Sequence, residues 1–366
     1  MTTTDPTTPE QAATTVEVGI DELCGMLMAK DLKPLWKQVE RLNTDTPVPA
    51  TLPWLWKWSS VLPLAERAGW EVPIDRGGDR RVLALTNPGL GGLPFTSSTL
   101  WGAVQYLGPG ETAPAHRHTA SAIRFVFEGE GVYTTVNGVA CAMKEGDLLL
   151  TPNWHWHDHT NTGDGSMAWF DGLDLPMVYE LDAVFFEQYP DDRQPVVRDD
   201  TTLDPMLVPG RLPIDAPRPS SPFSSQFRYT WDDTDALLTH LAAQAEGPVV
   251  GMVYVDPLTS RDVTPTMGCE AYRVIPGRRS RTVRRAGSSV YAVYRGRGRS
   301  VIDGIVYEWE KGDMFVTPSW AAVDHEADEP SDLFAITDRP ALEALSLFRQ
   351  EVAETRQEVT GVFTPR

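Results

Sequence analysis

Cysteine, basic charge and long apolar runs are all scarce in this chain, and each scarcity removes a class of function. Three cysteines, Cys24, Cys141 and Cys269, occur in 366 residues. An odd, widely spaced set without a C-x-x-C pair supports neither a disulfide framework nor a thiolate zinc site, and points to reduced thiols in a cytoplasmic protein. Lysine and arginine number 32 against 51 aspartates and glutamates, a formal charge of -19. No excess of basic surface is left to neutralise phosphates, so neither nucleic acid nor an anionic membrane is expected as a partner. Residues 1–9 have no basic or apolar region of the signal-peptide kind, and no apolar run reaches the roughly 18 residues that a membrane span needs. An acidic chain that handles an anionic small molecule must place local arginines against its own field.

What is present suggests two β-rich halves. At about 150 residues per domain the length allows two to three domains. Residues 1–17, rich in Thr, Pro and Glu, are expected to form a disordered tail. Residues 18–95 read as a helical arm: Ile20, Leu23, Leu27, Met28, Leu32 and Leu35 recur near a 3.6-residue period, and Pro34 interrupts them. Trp54, Trp56 and Trp58 alternate like one face of a short strand or of an interface, with packing in the core the favoured reading. From Trp101 onward, short strand-like runs over 101–107, 122–128, 131–136, 147–150 and 167–173 are separated by turn signals such as Asn137-Gly138. The spacing predicts a sandwich or small barrel over 96–187. A Pro-rich connector over 188–227 leads to a second β unit over 228–366, and 338–354 reads as a C-terminal helix.

The second unit repeats the first. Asn137-Gly138 is answered by Asp303-Gly304, Gly146-Asp147 by Gly312-Asp313, and Thr151-Pro152-Asn153-Trp154 by Thr317-Pro318-Ser319-Trp320, all 166 positions apart. An upstream pair, Gly129-x-Gly131 and Gly296-x-Gly298, is offset by 167, so the two stretches differ by one inserted residue.

Five of the seven histidines fall within 44 residues: His116, His118, His155, His157 and His159. An H-x-H pair on a strand puts both imidazoles on one face, about 6–7 Å apart along the chain, where two nitrogens can converge on one metal. A third histidine from a neighbouring strand completes a facial set with open positions. Gly110-x5-His116-x-His118-x3-Ala122-x6-Gly129 matches the first cupin motif, with Ala122 in place of its usual glutamate. Gly146-x5-Pro152-x-Trp154-x2-His157-x3-Asn161 matches the second, with Trp154 in place of a glycine. The chain resembles a cupin, which implies a jelly-roll barrel with a metal on His116, His118 and His157. In the second half Val283, Arg285, Ser289 and Val323 occupy the ligand positions, so one metal per chain is expected. Three neutral imidazoles leave the full charge of a divalent ion to be met by the substrate, which favours a chelating anion.

More specific strings extend the resemblance. Asn87-Pro-Gly-Leu-Gly-Gly92, Pro114-Ala-His-Arg-His118, Phe125-Val-Phe-Glu-Gly-Glu-Gly131, Gly146-Asp-Leu-Leu-Leu-Thr-Pro152 and Lys311-Gly-Asp-Met-Phe-Val-Thr-Pro-Ser-Trp320 are similar to those of gentisate 1,2-dioxygenases and their salicylate and 1-hydroxy-2-naphthoate relatives. The resemblance implies an all-β dominated bicupin with an N-terminal helical segment, Fe(II) as cofactor, a small aromatic acid and O2 as substrates, and a homotetramer. Gentisate would be opened to maleylpyruvate, and the salicylate and hydroxynaphthoate activities are the alternatives. A non-catalytic cupin that binds an aromatic acid is the alternative of another class.

The remaining site residues follow from strand alternation and from the resemblance. Arg124 shares the facing of Ala122 and is expected to bind the substrate carboxylate with its fork. Arg80, in Gly77-Gly-Asp-Arg-Arg81, resembles an arginine that the family's N-terminal segment brings to the site, and His159 resembles its non-ligand histidine. Trp101, Ala103, Gln105 and Trp169 are expected to line the pocket, and Asp171 to accept from an imidazole or an arginine.

Overall fold

The computed structural model describes residues 9–74, 81–200, 214–215 and 220–365. Its contacts divide the chain into two compact units, Met1–Val48 and Pro49–Arg366. The smaller unit holds a helix over Pro9–Met28, a 3-10 turn over Leu35–Lys37 and a short helix over Val39–Leu42. Residues 9–17, expected in a disordered tail, are the first half of that helix, and residues 1–8 lie outside the described residues. Asp31 in the left-handed region and Pro34 end the run, because neither conformation continues an α-helix. Lys37 reaches back to Asp21 at 2.8 Å.

The larger unit is a pair of barrels, each made of two six-stranded sheets with the same strand order. In the first barrel one sheet runs Arg228–Tyr229, Leu148–Thr151, Ala122–Glu128, Met167–Leu173, Trp101–Leu107, Val82–Ala84. The facing sheet runs Phe186–Gln188, Thr112–His118, His157–Asn161, Val132–Val136, Val139–Ala142, Arg198–Asp199. Period-two alternation sorts the side chains. Val126, Leu149, Met167 and Trp169 point into the first barrel, while Ile123, Phe125 and Phe170 form a shared core with Phe334 and Ile336 of the second. Phe125 and Phe334 stack across that interface, with centroids 4.3 Å apart and planes 7° apart.

The repeat is longer than the sequence pattern shows, and its ends cross over. Trp54–Trp56 forms an edge strand, but of the second barrel, on Met314–Thr317. Arg228–Tyr229 joins the first barrel in return, on Leu148–Thr151. Leu55 is the fully buried residue of the tryptophan stripe, and Trp58 opens the helix Trp58–Glu71. Each arm is pinned by the buried aspartate of a Gly-Asp turn: the Trp58 amide donates to Asp313 at 2.8 Å and the Trp231 amide to Asp147 at 3.0 Å. Gly312 and Gly146 have φ of 89° and 82°, and a Cβ on either would strike the Trp58 or Trp231 ring. Both conditions require glycine.

Two expected boundaries are therefore corrected. Residues 188–200 do not begin a free connector. Phe186–Gln188 pairs with the strand bearing His116 and His118, and Arg198–Asp199 pairs with Val139–Ala142. The expected helix over 338–354 is only Arg339–Ala344. Ser346 takes a φ of 60°, and Gln350–Val352 becomes an edge strand on Val283–Arg285, since an unpaired edge gains more from main-chain hydrogen bonds than exposed Leu345 and Leu347 gain from a helical face.

Asp313 also accepts from the Lys57 ammonium at 2.5 Å and from the Glu310 amide at 3.0 Å, with its side chain fully buried. Asp313→Ala strands all three donors. Urea titration is expected to show a loss of about 2–4 kcal/mol; a loss under about 1 kcal/mol would mean that apolar packing alone holds the arm.

Candidate metal centre

The first barrel brings His116, His118 and His157 together. His116 and His118 share a face of Thr112–His118, and His116 sits directly opposite His157 on the adjacent strand. Ring centroids are 5.6 Å apart for His116 and His118, 4.3 Å for His116 and His157, and 4.9 Å for His118 and His157. One ring nitrogen from each lies within 4.8 Å of the other two. Each Nδ1 is 2.7–3.0 Å from a main-chain carbonyl: His116 from Pro114, His118 from Ala120, His157 from His155. A carbonyl only accepts, so each Nδ1 carries the proton and each Nε2 keeps its lone pair, the tautomer that a metal ligand needs.

The electrostatics favour the same state. Burial, reinforced by His116 and His118, holds His157 well below the ordinary imidazole range, so its ring is neutral. Its Nε2 is buried and hydrogen-bonds to nothing, an orphan that a cation would satisfy. Ala122, at the usual glutamate position, is buried. Among the described residues no other set of three ligand groups converges. Trp154, where the motif has glycine, has a φ of 61°, and its counterpart Trp320 has 67°. The turn requires the left-handed conformation whichever residue stands there, which is why glycine is usual.

Beside the histidines lie Arg124 and Asp171, directly opposite each other on neighbouring strands and both facing the barrel interior. Both are buried, with Arg124 Nε 3.4 Å from Asp171 Oδ1 and Nη1 donating to Thr151. Burial pushes Asp171 up to about 6, against the pull of Arg124 and of the Trp169 indole N–H, which donates to it at 3.1 Å. His159 is buried with its Nδ1 2.8 Å from Thr134 Oγ1. The Thr134 hydroxyl is directed at Met143 Sδ, 3.3 Å away, so its oxygen accepts from His159 Nδ1–H and leaves Nε2 as a free base. Burial, with Arg124 and the other histidines, keeps that ring neutral too.

Ala103 and Gln105 share the facing of Leu107, an interior residue, and Trp169 packs 5.5 Å from the His159 ring. Trp101 has the same facing at the partly exposed start of the strand. His155 is not part of the set: its ring lies near Phe223 and Phe227. Arg80 falls outside the described residues. Its neighbour Arg81 is a buried clamp on Glu111 and on the carbonyls of Gly69 and Val72. Sequence reading overlooked Thr134 and Thr151, the hydroxyls that orient His159 and Arg124; period-two alternation alone marks Thr134 as interior. It also overlooked Arg117, held between Trp154 and Trp156 at 4.5 and 4.3 Å.

The cupin domain family matches residues 103–173. The chain is 45% identical to the gentisate 1,2-dioxygenase of a Streptomyces species, over 92% of this chain and 96% of that protein. It is 36% identical to the 5-aminosalicylate 1,2-dioxygenase of a Comamonas species, over 95% of each. The salicylate 1,2-dioxygenase of Pseudoaminobacter salicylatoxidans, solved as adducts with gentisate, superposes with a TM-score of 0.84 at 40% identity, covering 96% of each chain. With a bicupin fold, a three-histidine centre and relatives matched over nearly their whole length, the chain belongs to the gentisate 1,2-dioxygenase family of ring-cleaving enzymes.

Proposed function

We propose that the protein is an Fe(II)-dependent dioxygenase that opens the ring of gentisate to maleylpyruvate, with one ion per chain on His116, His118 and His157. The observation that carries this reading is the convergence of three neutral imidazoles, all with Nδ1 committed to carbonyls, beside a buried guanidinium. His116, His118 and His157 would hold the iron, which would supply coordination sites for the acid and O2 and redox chemistry between them.

The chain's own residues supply position and charge. The Arg124 fork, steadied by Thr151 and Asp171, attracts the substrate carboxylate into a site where an acidic protein otherwise repels it. His159 Nε2, unprotonated, accepts the proton of a substrate hydroxyl and returns it to the product. Ala103, Gln105 and Trp169 bound the pocket, and Arg80 is a further candidate contact to the acid. A cytoplasmic homotetramer fits the free cysteines and the apolar residues left exposed on the helix Trp58–Glu71, Leu64 and Trp70.

Oxygen uptake with gentisate, measured together with metal analysis of anaerobically purified protein, tests the reading. One iron per chain and growth of the near-ultraviolet band of a ring-opened keto acid are expected. Turnover of salicylate or 1-hydroxy-2-naphthoate but not gentisate would reverse the substrate assignment. Bound iron without oxygen consumption on any hydroxybenzoate would make the protein a binder.

A further inference from the structure

The second barrel has lost its metal ligands and kept a cavity. Val283 pairs with Val323 as His116 pairs with His157, so the two valines stand where two ligands stand in the first barrel. A cavity of about 300 Å³ opens there, lined by both valines, Tyr272, Arg281, Arg285, Tyr291 and His325. Arg285 is in the place of His118, and Tyr291 in that of Arg124. The size lies at the lower end of ligand pockets, room for one ring and little more.

The lining is electropositive in a strongly acidic chain: it includes two arginines and no carboxylate. Arg281 is exposed and makes no ion pair among the described residues. Arg285 spends Nε on Gln350 at 2.8 Å and Nη1 on the Tyr272 hydroxyl at 3.2 Å. The nearest acid, Glu270, is not in the lining: its Oε2 lies 3.6 Å from Arg285 Nη1, and Tyr272 and Arg339, the latter within 3.5 Å, also hold it. That leaves Arg285 Nη2 without a hydrogen bond to the described protein.

His325 repeats His159 with the opposite polarity. Its Nδ1 lies 2.8 Å from Ser300 Oγ, as His159 lies from Thr134. Here the Trp309 indole N–H donates to Ser300 Oγ at 2.9 Å, so the serine hydroxyl is free to donate to Nδ1. With the serine as donor, the ring proton sits on Nε2, a donor where His159 has an acceptor. Guanidinium and imidazole donors among valine, proline and tyrosine walls suit an anion with an apolar body.

We propose that the cavity of the C-terminal barrel is a second, metal-independent binding site for a compact monocarboxylate, a single-ring aromatic acid, held by Arg281 and Arg285. Titration of the metal-loaded protein with 4-fluorobenzoate, followed by 19F NMR, tests this, because that acid lacks the ortho hydroxyl needed for chelation. A saturable component is expected that persists in Arg124→Gln, weakens about tenfold in Arg281→Ala and disappears in the Arg281→Ala, Arg285→Gln double variant. Arg281 is exposed, so its truncation leaves the fold intact and the single variant stays informative if the double variant fails to fold. The uncharged 4-fluorobenzamide is expected not to compete, and inorganic phosphate to compete only in large excess. The proposal is overturned if binding survives both arginine substitutions, if it is lost in folded Arg124→Gln alone, if the amide binds equally, or if phosphate displaces the acid at equal concentration.

Discussion

His118→Ala is expected to yield a folded protein that retains no stoichiometric iron and turns over no hydroxybenzoate. The ring is partly exposed at the end of Thr112–His118, and its Nδ1 meets the carbonyl of Ala120, two residues on, so truncation removes the proposed ligand without opening the core. Two imidazoles hold Fe(II) weakly. The loss in metal affinity should exceed the 10–100-fold typical of deleting an outer-shell partner. Metal analysis after desalting, with circular dichroism as the fold control, checks it. A variant that keeps one iron per chain would remove His118 from the ligand set.

Arg124→Ala is expected to weaken binding of the acid about a hundredfold, with iron retained. KM should rise with a smaller change in kcat, because the carboxylate is held in both ground and transition states. A pH signature separates this role from a packing role. Asp171 already sits raised, at about 6, from burial, and Arg124 is the cation that pulls it down. Without that cation its folded-state value rises further, while the unfolded value stays near 3.9. A raised group contributes stability that is present in full below its unfolded value and is lost as pH rises through its folded value. The variant should therefore be more stable near pH 5 than near pH 8, with a limiting slope of about 1.4 kcal/mol per pH unit. Adding Asp171→Asn should abolish the slope. An unchanged KM would show that another residue holds the acid.

Several features were legible before any fold was in view, because they depend on local spacing. The H-x-H pair and the Gly-Asp turns are short-range patterns, and the strands over 101–107, 122–128 and 167–173 recur in the structure with those bounds. Period two also grouped Arg124 with Ala122, and Gln105 with Trp101 and Ala103, since alternation along one strand leaves no other choice; that the two groups face one interior is seen only in the barrel. The arms were not legible. Nothing in Trp54–Trp56 states that it pairs with Met314–Thr317, some 260 positions away, and the same holds for the return strands at 186–188 and 350–352. Edge pairing is decided by which main-chain groups lack partners after the barrels form.

The amino-acid order by itself determined the duplication, the three histidines at cupin-motif spacing and their loss from the second half, because each is a matter of residue identity at a fixed interval. Only the tertiary structure brought Thr134, directed at Met143, against His159, and Ser300, accepting from Trp309, against His325, the contacts that bear on which ring nitrogen carries the proton. A tautomer is set by the partner across the ring, and those partners come from strands 9 to 25 residues away, brought into contact by the closing of the barrel.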